Sequence, residues 1–300
     1  MNYLSIDVGG TNLKYALISA AGQIIEKDKI KTPQDRENFL QALDQIVDQY
    51  HDQIKGLAFC APGQIERTTI HFGGALPFLD GLDLKSHFHE LTMPIIGLND
   101  GKAAALAENW LGSLKGEQNC AAIVLGTGVG SGIIVNGHLV AGSHYQAGEL
   151  SFVNLNYHAA DFNDAYVGGI GSAVEMIKRI NQVVGNDDET DGLKAFQAIE
   201  DGNAAVQAIL NDYCYGIATL IMNVQFVVDL DKYAIGGGIS AQSKVIQGIR
   251  QAYQEIFAKY PIIQQTFQEP EIVAAKFNND ANLYGALYNL LLTVNGETLD

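Results

Sequence analysis

The hydrophobic positions of residues 3–30 fall in short runs separated by small-residue turns. YLSID is an apolar strand, VGGTN a turn, LKYALIS a second strand with near alternation, AAGQ another turn and IIEKDKI a third strand, so the pattern predicts a β-meander. The period then changes. Phe39, Leu43, Ile46, Val47 and Tyr50 recur at helical spacing from Asn38. GLAFCAPG (56–63) is a short apolar strand closed by a Pro-Gly turn, and PIIGLND (94–100) is another. GKAAALAENWLG (101–112) reads as a helix that starts directly after Asp100. Strands alternating with helices predict an α/β unit.

A second unit begins near residue 113. AAIVLG (121–126) is a strand, TGVGSG a turn and GIIVNGHLV a second strand. Val206, Ile209, Leu210, Tyr213, Ile217, Leu220, Ile221 and Val224 mark a long buried helix. KYAIGGGIS (232–240) is a strand running into a Gly-rich turn, a helix follows from about 243, and ANLYGALYNLLLT (281–293) forms a final apolar helix. GNDDETDG (185–192) reads as a solvated acidic loop. Both halves open with a hairpin around a Gly-rich turn and continue with α/β crossovers. No short repeat is visible, which excludes a solenoid and leaves a distant duplication as the expectation.

Composition narrows this picture. Three hundred residues, at roughly 150 per domain, suggest two domains. The chain carries 18 Lys and Arg against 34 Asp and Glu, a net charge of −16 that repels phosphate backbones and disfavours nucleic acid as a partner. The 47% hydrophobic and 17% charged content is that of a globular protein with a large core. No apolar run approaches the roughly 18 residues of a membrane span. Asp7 falls where a leader would be apolar, so no cleaved leader is expected. Cys60, Cys120 and Cys214 are odd in number and far apart, which supports neither a disulfide framework nor a CxxC zinc site and fits a reducing cytoplasm.

Three glycine turns and one carboxylate carry the candidate chemistry. Asp7-Val8-Gly9-Gly10-Thr11, with Lys14 nearby, is either a plain hairpin turn or a turn whose bared N–H groups and Thr11 hydroxyl wrap phosphate oxygens. Asp7 could there hold a metal ion through water. Gly126-Thr127-Gly128-Val129-Gly130-Ser131-Gly132 fits neither the Rossmann nor the P-loop spacing. Four glycines in seven residues are costly to order, which points to phosphate binding. Gly236-Gly237-Gly238-Ile239-Ser240 either lets the backbone approach a flat ligand such as adenine or serves close strand–helix packing. Asp100, after Asn99, ends a strand and precedes a helix. It reads as an N-cap, and a cap there is compatible with a general base.

Taken in order, Asp-x-Gly-Gly-Thr, Pro-Gly, Asn-Asp, Gly-Thr-Gly-x-Gly and Gly-Gly-Gly resemble the sugar-kinase branch of the actin-like ATPase fold, and more narrowly the ROK family (repressor, open reading frame, kinase). The resemblance runs from Asp7 to about Leu291 and includes NDANLYGALYNLL (279–291). It implies an α/β fold of two actin-like (ribonuclease-H-like) domains with a cleft between them. The smaller domain spans 1–112, with the helix about 281–293 packing back on it, and the larger spans 113–280 and binds most of the ATP. It implies that Asp7, Gly9, Gly10 and Thr11 form one phosphate turn, Gly126, Thr127 and Gly128 the other, and that Gly236 and Gly237 lie against the adenosine. It gives Asn99 and Asp100 as the sugar-binding pair, Asp100 as general base, Glu149 as a ligand of sugar hydroxyls and Gly63 as the turn that approaches the sugar. For Glu149 the plain alternative is a surface glutamate beside a loop.

The implied activity is ATP-dependent phosphorylation of a sugar hydroxyl at C6 of a hexose or glucoside, with Mg²⁺, in the cytoplasm and as a homodimer. Many family members hold a structural zinc through a His in Glu-x-Gly-His and a cysteine cluster. Here the stretch is Glu149-Leu150-Ser151-Phe152 and no cysteine lies between Cys120 and Cys214, so the resemblance implies no structural zinc. His144 and His158 read as loop histidines. The family's Asn-Leu pair before a small Gly-rich loop is replaced by Ala75-Leu76-Pro77. Two changes at the sugar end imply a modified or larger pocket, suited to a β-glucoside or other disaccharide, with N-acetylmannosamine as an alternative. The family's repressors carry an added N-terminal helix-turn-helix, for which the seven residues up to Asp7 leave no room. A sugar sensor without catalysis is disfavoured by the presence of Asp100 and all three glycine turns.

Overall fold

Two five-stranded sheets with the same internal order organise the chain. They are seen in a computed structural model that describes residues 1–296. In chain order the strands are β1 (Asn2–Val8), β2 (Asn12–Ser19), β3 (Ile24–Lys31), β4 (Ile54–Ala61), β5 (Gln64–Glu66), β6 (Thr69–His71), β7 (Leu82–Asp83), β8 (Ile95–Asn99), β9 (Cys120–Leu125), β10 (Val129–Val135), β11 (His138–Leu139), β12 (Lys232–Gly236) and β13 (Glu271–Ala274). The first sheet runs β3-β2-β1-β4-β8 and the second β11-β10-β9-β12-β13. In each, a hairpin supplies the antiparallel strands and two crossovers add the parallel ones. The sheets therefore repeat one plan, which agrees with the duplication expected from the sequence.

The predicted meander is present, and the helix Arg36–Tyr50 buries Phe39, Leu43, Ile46, Val47 and Tyr50, the positions that set its period. Asp35 caps it by accepting from the Asn38 N–H. The helix packs on Leu4, Ile6, Leu57 and Phe59 of the first sheet. On the second sheet the long helix Ala204–Val228 and the helix Ser243–Lys259 share a core with Ile123, Leu125, Tyr233 and Ile235. Helices Ala173–Val184 and Gly192–Glu200 and the small β5-β6-β7 sheet were not anticipated. The second hairpin also differs from expectation. Strand β10 begins at Val129, inside the glycine run, and the stretch predicted as one strand is broken by a turn at Asn136-Gly137.

Helices Asp100–Leu111 and Ala281–Val294 each follow the fifth strand of a sheet, and they pack against one another between the sheets. A single apolar cluster joins Tyr3, Ala58 and Leu98 of the first sheet to Ala122, Ile134 and Ala234 of the second through Ala103, Leu106, Leu283 and Leu287. Small residues make this close approach possible. A Cβ on Gly132 would stand 2.7 Å from Ala105 Cβ and 2.9 Å from Lys102 Cα, and one on Gly101 would stand 2.4 Å from Ser131 N. The glycine-rich strand β10 is thus shaped by the helix it carries, so its glycines serve packing as well as the phosphate binding expected of them.

Candidate active site

A cleft of about 980 Å³ opens between the two halves. Gly63, Asn99 and Asp100 line it from one side and Gly126, Thr127, Gly128 and Glu149 from the other. Residues chosen from four separate stretches of sequence therefore meet in one place. Gly236 and Gly237 lie instead on a smaller adjoining cavity of about 150 Å³, with Lys14 and Glu108, and Val124 and Asn282 border both spaces. Gly9, Gly10 and Thr11 line neither. The Gly9 N–H is not bared as the paired glycines had suggested; it donates to Asn12 O at 3.1 Å and closes the hairpin, leaving Gly10 and Thr11 as its exposed tip. Gly237 adopts φ of +93°, and a Cβ there would lie 2.1 Å from Leu125 O. Close approach to strand β9 therefore requires this glycine with or without a ligand.

The start of the helix Asp100–Leu111 corrects one expectation. Asn99, not Asp100, is the N-cap: its Oδ1 accepts from Gly101 N at 2.9 Å and from Lys102 N at 3.4 Å. Its Nδ2 donates to Gly63 O at 2.8 Å and so ties the Pro-Gly turn to the helix. Asp100 is the first helical residue, accepting from the Gly101 N–H at 2.7 Å. It is accessible to water along the cleft, while protein closes around it on its other sides. Removal from bulk water raises its pKa; the Gly101 N–H draws it back and the Asp7 charge adds to the rise. The net effect is upward, toward the range in which a carboxylate works as a base.

Asp7 is buried at the end of β1 and its oxygens are occupied. Lys14 Nζ lies 3.0 Å from Oδ2, while Cys60 Sγ at 3.2 Å and Asn282 Nδ2 at 3.1 Å both donate to Oδ1. A carboxylate so engaged fits the role of holding metal-bound water better than that of a direct ligand, in keeping with a Mg²⁺ ion that keeps most of its water shell. Burial, with Asp7 alongside, pushes the Cys60 thiol well up and keeps it protonated. Among the described residues no three His, Cys, Asp or Glu side chains cluster as a metal site. His144 and His158 are exposed loop residues, and Phe152 stands 64% exposed in the cleft wall.

Three residues of this region were not singled out from the sequence. Lys102 is buried on the first turn of its helix and donates to the Tyr145 carbonyl. Glu108 is buried and accepts from Ser113 N, Lys276 N and Phe277 N at 2.7–2.9 Å, bracing the wall of the smaller cavity. Asn282 reaches Asp7 from the last helix. The available signal was positional: NDGK (99–102) and NDAN (279–282) are parallel openings of the two central helices.

Comparison with known proteins finds relatives over nearly the whole chain. A family model described as "ROK family" matches residues 3–292. A β-glucoside kinase of Listeria innocua is 28% identical over 297 residues, covering 97% of this chain and 98% of its own. An N-acetylmannosamine kinase of Haemophilus influenzae is 29% identical, covering 96% and 95%. A solved ROK family protein of Streptococcus pneumoniae in complex with sucrose is 29% identical, with a TM-score of 0.89 over 99% of this chain and all of that one.

Proposed function

The chain belongs to the ROK family, and we propose that it is an ATP-dependent sugar kinase acting on the C6 hydroxyl of a hexose or glucoside with Asp100 as general base. The observation that carries this reading is one cleft that gathers Asn99 and Asp100 opposite Glu149 and the Gly126–Gly128 turn. A sugar hydroxyl is a poor nucleophile at neutral pH. Asp100 takes its proton as the oxygen bonds to the γ-phosphorus and the β–γ bridge breaks, with ADP as leaving group. Asn99, held by the helix start and Gly63, and Glu149 orient the acceptor hydroxyls. Gly126, Thr127 and Gly128 take the phosphate oxygens, with Gly10 and Thr11, the exposed tip of the first hairpin, on the opposite half and Gly236 and Gly237 against the adenosine. Asp7 would hold Mg²⁺ through water, and the ion when bound would spread the phosphoryl charge.

A two-ring acceptor is favoured by two aromatic side chains. Phe72 and Phe152 are 72% and 64% exposed and line the same cleft from opposite halves. Phe72 is held with φ of +54°, a conformation rare for a bulky residue and associated with function. Its N–H donates to Asp80 Oδ1, and Phe152 is backed edge-on by Phe162. Such faces suit the apolar side of a second sugar or aryl ring. The relatives' printed names, β-glucoside kinase among them, are compatible with this. The fold is read as needing no structural zinc. The experiment is an ADP-release assay with glucose, cellobiose, a phenyl glucoside and N-acetylmannosamine. Turnover is expected to be best on a glucoside, N-acetylmannosamine as best acceptor would replace the glucoside reading, and no turnover on any sugar would remove the kinase reading.

A further inference from the structure

Lys102 stands where a lysine is hard to justify. It is 3% exposed, and lysines are almost never fully buried unless paired. It also occupies the third position of the helix Asp100–Leu111, the end where the helix dipole disfavours a cation. Burial of its charge and the helix dipole both oppose it there, and such a conflict is expected where function is served.

Its surroundings show what it gains. The ammonium donates to Tyr145 O, in a loop between β11 and Glu149 that carries left-handed backbone at Gly142, Tyr145 and Gly148. The same loop is fastened by Gln64 Nε2 to His144 O at 2.7 Å, by Gln146 Nε2 to Gln64 Oε1 at 3.1 Å and by Ser131 Oγ to Gly148 O. Lys102 is the fastening that arises from the helix carrying Asp100, and its charge acts on Glu149. Two charged groups act on the Glu149 carboxyl: Lys102, which favours its ionised form, and Asp100, which opposes it. Burial draws the Lys102 ammonium down from its usual range and Glu149 partly restores it.

We infer that Lys102 is a positioning residue, which pins the Tyr145 carbonyl and so presents the Glu149 carboxylate to the acceptor sugar in register with Asp100. This rests on the sugar-kinase reading of the cleft. It assigns Lys102 to sugar recognition, through Glu149, and not to the nucleotide.

The test compares Lys102→Met, Lys102→Arg, Glu149→Gln and the double variant Lys102→Met/Glu149→Gln in the full chain. Lys102→Met should raise KM for the best sugar about tenfold while KM for ATP stays within about twofold. It should also move the acid limb of kcat/KM for sugar to higher pH, because the cation that favours ionised Glu149 is gone. Lys102→Arg should recover part of both effects. In the Glu149→Gln background Lys102→Met should add little, as expected when one residue acts through the other. The proposal is overturned if Lys102→Met alters the two KM values alike, leaves the pH limb in place, or multiplies fully with Glu149→Gln. Should the parent phosphorylate no sugar, the kinase reading falls alone, and calorimetric sugar affinity in the same variants decides the role of Lys102. The absence of any sugar binding overturns both.

Discussion

The two helix openings Asn99-Asp100 and Asn279-Asp280 both lie at the junction between the fifth strand of a sheet and the helix that follows it, with Asn99 at the N-cap of the first helix and Asp280 at that of the second, yet they do different work. Asn99 is buried, caps its helix through Oδ1 and donates to Gly63 O; Asp100 then faces the cleft. At the second opening no side chain caps the helix, the Asn279 carbonyl accepts from Lys14, and Asp280 pairs with Lys27 at 2.7 Å on the surface. One plan of strand and helix therefore yields a candidate catalytic carboxylate in one copy and a surface ion pair in the other. An Asn-Asp pair at a helix start is not sufficient for chemistry; a walled cleft that encloses the carboxylate on all sides but one is also needed.

Breaking the first opening should be costly in ways that breaking the second is not. The largest stability effect is expected further along its helix. Glu108→Ala removes a buried carboxylate that serves three backbone N–H groups and should cost about 3–5 kcal/mol. A denaturant midpoint close to the parent's would contradict that account of Glu108. Asn99→Ala loses a cap and a bond to Gly63 O and should cost about 1–2 kcal/mol, whereas Asn279→Ala should be nearly silent in the same melts. The smallest effect belongs to the ion pair: Lys27→Met should change stability by no more than about 1 kcal/mol, since both partners are partly exposed and screened by salt.

Much of this molecule was legible in its sequence for a physical reason. Helices such as Arg36–Tyr50 bury one face, so their period survives in the residue pattern. The hairpins of both sheets announce themselves by glycine turns between apolar runs. What stayed hidden depends on contacts distant along the chain. Nothing local distinguishes Gly132, which admits a helix, from Gly128, which lines the cleft. The cap moved from Asp100 to Asn99 because both are good capping residues and only backbone geometry chooses between them. Lys102 and Glu108 look like ordinary helix-surface charges until the second sheet and the 275–277 segment cover them. Helix Ala173–Val184 announces itself only weakly, since its buried face is Ala173, Met176, Ile180 and the polar Asn181.

The comparison of the two aspartates also carries a sign in pH. Asp100 is held above its ordinary range, so the folded chain binds that proton more tightly than the unfolded one. Its contribution to stability is complete below the ordinary carboxylate pKa of about 3.9 and is lost as pH rises through the raised value. At neutral pH ionised Asp100 therefore opposes folding, and Asp100→Asn should melt at the parent's temperature or above it. Activity should run the other way, with kcat/KM falling on acidification through a limb above the ordinary carboxylate range.

The central claim is that Asp100, and not its counterpart, is the base. The measurement is kcat on the best sugar for Asp100→Asn and Asp280→Asn, beside sugar affinity and a thermal melt of the same preparations. The account predicts that Asp100→Asn stays folded and binds sugar but turns over at least about 10²-fold more slowly, while Asp280→Asn remains within a few-fold of the parent. Turnover by Asp100→Asn within a few-fold of the parent, or equal losses in both variants, would contradict it.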